Sequence, residues 1–156
     1  TFTAPFEAAC SFTGAVTGEV AVAKSGAGEV VLAPTDGDFT VTHVTVAAGR
    51  LTLAPALLKN DLKTACFDWS SGASAELNFT GDIDLLDWSI ELKGVPAGKI
   101  AKGEEPEPFS FSILSTGTVT GTPTITGIPE SRWSLSGASG QYTLSYVRPG
   151  LILSVH

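Results

Sequence analysis

The sequence has no methionine, only two cysteines (Cys10 and Cys66) and only two histidines (His43 and His156). Charged residues make up 16% and aromatic residues 8% of its 156 positions. Each scarcity excludes something. Nine basic residues against sixteen acidic ones give a net charge of −7, so the clustered Lys and Arg that neutralise phosphates are missing and nucleic acid is excluded as a partner. Zinc sites draw on three or four Cys or His ligands, and the four such residues here have no ligand spacing. A Ser-His-Asp triad would depend on His43, and no Gly-x-Ser-x-Gly elbow is present. No cofactor is expected. No window approaches the roughly 20 apolar residues of a membrane helix. The opening residues Thr1–Glu7 carry neither the basic region nor the apolar run of a signal peptide.

What the chain does have is apolar content, 43% by residue, together with a positive mean hydropathy. That combination excludes an intrinsically disordered chain. Its length fits one domain over residues 1–156, large enough to bury a core without metals or many disulfides. Two distant cysteines in a chain without methionine are the pattern of a processed, exported protein. They predict one Cys10–Cys66 disulfide and a secreted, cell-surface or periplasmic location.

Alternation with a period of two dominates. From Ala75 to Leu85 the odd positions are Ala, Leu, Phe, Gly, Ile and Leu, and the even ones are Glu, Asn, Thr, Asp and Asp. This is the pattern of a half-buried strand. Trp88, Ile90 and Leu92 alternate with polar residues in the same way, and the short Leu86-Asp87 connection predicts an antiparallel hairpin between the two. Further strands are expected over 16–23, 29–32, 109–114, 142–147 and 151–155. The apolar phase of Phe39–Val46 shifts near His43, which predicts a bulge. Leu58, Leu62, Ala65 and Cys66 follow helical spacing after Pro55, so one short helix is expected near residues 55–66. Gly98–Pro108, with Pro106, Pro108 and three glutamates, reads as an exposed loop. The Thr-Gly repeats of Gly117–Pro129 are too short for a solenoid and read as a kinked edge strand. The fold class predicted from these elements is an all-β antiparallel β-sandwich, with a β-barrel as the alternative.

Candidate sites are few. Trp88 lies in phase with Ile90 and Leu92 and reads as core. Trp69 and Trp133 stand beside Ser and Gly and are the candidate exposed binding aromatics. Asp36, Asp38, Asp82 and Asp84 supply paired carboxylates that calcium could use, outside any twelve-residue calcium loop. Asn78 heads an Asn-Phe-Thr sequon, relevant in a eukaryotic secreted protein. With no catalytic constellation, the expected function is a non-enzymatic extracellular or surface-associated module for binding or structural assembly. Its partner would be a protein or a surface polymer. The alternative is a small carrier holding an apolar small molecule between its sheets.

Overall fold

The computed structural model describes residues 2–3, 9–12, 17–33, 39–58, 62–71, 74–98, 100–129 and 132–147. Its strands, in chain order, begin with β1 (Phe2–Thr3), β2 (Ala9–Phe12), β3 (Gly18–Ser25), β4 (Glu29–Leu32) and β5 (Phe39–Val46). Next come β6 (Gly49–Leu53), β7 (Thr64–Asp68), β8 (Ala75–Phe79), β9 (Ile83–Asp84) and β10 (Ser89–Lys93). The last are β11 (Phe109–Ser115), β12 (Val119–Thr120), β13 (Thr124–Thr126), β14 (Trp133–Ala138) and β15 (Gln141–Tyr146).

The chain winds between two sheets. Sheet A has the order β1-β3-β5-β7-β10-β13, and every one of its pairings is parallel. Sheet B has the order β14-β15-β11-β8-β6-β4-β2 and is parallel from β11 to β2. A small parallel pair, β9 with β12, forms a third sheet. Up to β13, successive strands fall in different sheets, so each of these strands pairs with one a full coil away rather than with its sequence neighbour. This overturns the antiparallel sandwich. It overturns the barrel as well, because sheet A is open, with edges at β1 and β13. The architecture is a coil of mostly parallel strands. Among the described residues its one antiparallel element is the pair β14–β15 together with the seam β11–β15. Ser139 and Gly140, between β14 and β15, both have positive φ (53° and 81°), the geometry of a type I′ hairpin turn.

Alternation is reproduced faithfully even where pairing is not. Ala75, Leu77, Phe79, Ile83 and Leu85 are buried, while Glu76 and Asn78 face outward. The expected hairpin between this segment and Trp88–Leu92 does not form. Asp87 adopts φ 64°, Trp88 N–H donates to Leu85 O, and the turn sends β10 into sheet A. The bulge near His43 is present: the register between β3 and β5 slips between Val20 and Ala21, opposite Thr42. The slip lets Val41 and Val44 both face the core, at 0% and 1% exposure. The Thr-rich segment supplies β13 at the edge of sheet A, as expected. Gly98–Pro108 forms no strand, and its described residues are mostly exposed.

The helix expected near 55–66 is corrected among the described residues: Pro55–Leu57 form a 3-10 turn, and residues 59–61 lie outside the described residues. Thr64–Cys66 belong to β7 because Ala65 and Phe67 alternate onto the core row beside Ile90 and Leu92. Burial of that row outweighs the coincidental helical spacing. The expected Cys10–Cys66 disulfide is not seen in this structure. Cys66 is a free, buried thiol in the middle of sheet A, whereas Cys10 lies on β2 at the far edge of sheet B.

The core lies between sheets A and B. Phe67 meets Phe111 at 5.0 Å, Phe111 meets Tyr142 at 5.3 Å and Phe79 meets Trp88 at 5.7 Å, centroid to centroid. One polar residue shares the inward row of sheet A. Lys24 is in register with Val46, which is in register with Phe67, and it is 1% exposed. Its ammonium donates to the carbonyls of Ser25 (2.8 Å), Gly26 (2.5 Å) and Ala48 (3.0 Å). Burial pulls its pKa below 10.5. These bonds tie the turn after β3 to the turn after β5. Gly49 completes the arrangement at φ 69°, where a Cβ would overlap the carbonyl oxygens of Gly26, Ala27 and Gly28.

Candidate functional site

The outer face of sheet B carries a polar row, one side chain per strand. The register places Glu29 beside Arg50, Arg50 beside Glu76, Glu76 beside Ser112 and Ser112 beside Gln141. Period-two alternation produces the row directly. Each of these residues is flanked by one that points into the core, such as Val30, Leu51, Leu77, Phe111 and Tyr142.

The turns that lead into β4, β6, β8 and β15 are rich in Gly, Ala and Ser. Gly49 N–H donates to Ser74 O and Arg50 N–H to Gly28 O, so the turns stack closely and raise no bulk above the sheet. The result is an open groove of about 750 Å³, lined among others by Gly28, Glu29, Arg50, Glu76, Ser112 and Gln141. Its polar groups hold one another in place. The Arg50 guanidinium contacts both Glu76 carboxylate oxygens, Nε to Oε1 at 2.5 Å and Nη2 to Oε2 at 3.2 Å. Thr52 donates to Glu29 Oε1 at 3.1 Å, and Asn78 donates to Thr52 at 3.3 Å. A parallel row of hydroxyls runs through Ser110 and Thr143, whose oxygens are 3.4 Å apart, to Ser136. Tyr142 forms part of the groove lining, and burial raises its phenol pKa above 10.0.

Of the described residues singled out from sequence, Asn78 shares the outer face of sheet B, while Trp69, Trp133, Asp82 and Asp84 lie elsewhere. Trp69 is buried rather than exposed, stacked on Phe109 at 5.5 Å and edge-on to Trp133 at 5.1 Å. Trp133 is partly buried and donates its indole N–H to Pro96 O at 3.1 Å. The 3-10 turn at Trp69–Ser71 folds the first ring inward, so nearby Ser and Gly were no sign of exposure. Asp82 accepts from Thr118 N–H (2.7 Å) and Asp84 from Leu86 N–H (3.0 Å), so these carboxylates serve backbone turns. Asp36 and Asp38 lie outside the described residues. No group of three or more His, Cys, Asp or Glu side chains placed to hold a metal occurs among the described residues. Asn78 sits on the outer face of sheet B, bonded to Thr52.

Cys66 faces the outer side of sheet A, in register with Thr45 and Glu91. Burial raises its thiol pKa above 9.0, and Glu91 and Asp68 add to the rise, while Lys93 and a bond to Thr45 oppose it.

Family models, characterised proteins and solved structures offer no match to this chain. Among the described residues no helix is long and apolar enough to cross a membrane.

The sequence does contain a signal for the groove. A small-residue turn precedes an outward Glu, Arg or Glu at 29, 50 and 76, and each is followed by alternating apolar residues. Read as one series, these positions mark a face repeated along a coil.

Proposed function

We propose that this chain is a non-enzymatic binding module of the extracellular space or cell surface. Its partner, a surface polymer or a protein, would lie on the outer face of sheet B. The observation that carries this reading is the groove of about 750 Å³ crossing five adjacent strands of one rigid sheet. Its charged groups are held by neighbouring side chains, Glu76 by the Arg50 guanidinium and Glu29 by the Thr52 hydroxyl. Such a set orients a ligand through hydrogen bonds. The carrier alternative finds less support, because the space between the sheets is taken up by Phe67, Phe79, Phe111 and Trp88.

The test is co-sedimentation of the purified chain with insoluble cell-surface polymer preparations. Ser112→Trp, which fills the groove from an outward position, should leave the chain in the supernatant while the wild type pellets. Equal pelleting of the two proteins, or none by either, would sink the reading.

A further inference from the structure

The row Glu29, Arg50, Glu76, Ser112 and Gln141 advances one strand at a time. Neighbouring strands stand about 4.8 Å apart, so the row extends about 19 Å. Each step is close to the length of one pyranose unit in an extended glycan. Along the row the groups run acceptor, donor and acceptor, followed by a hydroxyl and an amide that do both. A sugar hydroxyl donates and accepts, so a polyhydroxylated chain can satisfy every position. The second row, Ser110, Thr143 and Ser136, continues the same chemistry.

Charge narrows the occupant further. Arg50 is paired with Glu76, which leaves Glu29 as the uncompensated charge of the row, on a chain of net charge −7. A polyanion would be repelled. An apolar chain would strip water from these donors and acceptors without replacing their bonds. An extended peptide gains most of its affinity at a sheet edge, where backbone groups are open, and this groove lies on a sheet face.

We infer that the outer face of sheet B binds a neutral, extended oligosaccharide laid across the strands, an assignment that rests on the binding-module reading above. The probe is native affinity electrophoresis in gels containing soluble neutral polysaccharides (a β-glucan, a galactomannan and an arabinoxylan), with polygalacturonate as the anionic counterpart. At least one neutral polymer should retard the wild type, and added salt should not abolish the effect, because no net charge pairing drives it. Gln141→Ala, at an exposed position, should weaken retardation several-fold. Ser112→Trp should weaken it at least tenfold with the melting temperature unchanged. Retardation only by polygalacturonate and only at low salt would overturn the inference, as would retardation by a neutral polymer that neither variant alters. If no neutral polymer retards the chain but Ser112→Trp still blocks co-sedimentation, the glycan assignment falls and the groove reading stands. If Ser112→Trp changes neither assay, both fall.

Discussion

The ammonium nitrogen of Lys24 lies 3.0 Å from the carbonyl oxygen of Ala48, one coil further along the chain. A lysine is among the residues least often fully buried. Here it shares an inward row with Val46 and Phe67, and its four-carbon stem reaches a place where several backbone carbonyls converge. The two turns it joins are the same turns that form one end of the polar groove, at Ala27, Gly28 and Gly49.

Lys24→Met keeps the stem and removes the donors that the carbonyls of Ser25, Gly26 and Ala48 share. Urea denaturation should show a loss of about 2 kcal/mol at neutral pH, since buried unsatisfied groups cost roughly 1–3 kcal/mol each and the added apolar contact offsets part of that. The pH dependence has a definite sign. With the folded-state pKa of Lys24 below 10.5, the unfolded chain binds more protons between that lowered value and 10.5, so this group's contribution rises with pH in that window. The gap between wild type and Lys24→Met should therefore widen as pH approaches 10.5.

Cys66 should be alkylated in denaturant without any reductant and should resist alkylation in the native protein. Peptide mapping by mass spectrometry distinguishes the two conditions. Its raised pKa also sets a direction. The stability linked to the neutral thiol is fully present below about pH 9 and is lost as pH rises through the folded-state value. A Cys66 peptide recovered linked to Cys10 would contradict the fold, which places the two residues in different sheets.

Gly49→Ala combines a positive φ with overlap of three backbone oxygens that cannot swing aside. A destabilisation of about 3 kcal/mol or more is expected from thermal or urea unfolding. Gly18→Ala has open space around its Cβ and should cost about 1 kcal/mol, from its backbone angle alone.

Trp69→Ala should cost about 3–5 kcal/mol, as truncation of a buried aromatic does. Trp133→Ala removes a partly buried ring and one hydrogen bond and should cost less. Equal and negligible shifts in melting temperature for the two variants would return Trp69 to the surface.

Strand positions and faces were legible because alternation is a local property. Ala75, Leu77 and Phe79 face inward whatever the strand pairs with, and the phase slip at His43 reported the bulge correctly. Pairing was not legible. Leu77 finds its neighbours at Leu51 and Ile113, and no feature within a strand names a partner that distant. The short Leu86-Asp87 link resembled a hairpin turn, yet its left-handed Asp87 redirects the chain to the opposite sheet. Lys24 was hidden for a related reason: nothing local says that a lysine among Val and Ala residues will point inward. The groove row stayed hidden because its members, unremarkable singly, become a face only after the coil aligns them.

The hairpin β14–β15 closes on itself, Ala138 meeting Gln141, whereas the other ladders join residues roughly twenty or more positions apart, as Ala9 with Glu29 or Leu53 with Phe79. Loop closure makes the near pairing the quickest to form. The first stable template is then this hairpin. Folding should run from it back towards β2, coil upon coil. In pulse-labelled hydrogen exchange the amides of Gln141–Tyr146 should gain protection before those of Glu29–Leu32. A nascent chain lacking the hairpin would have to await it, exposing in the meantime the open strand edges that a finished coil covers.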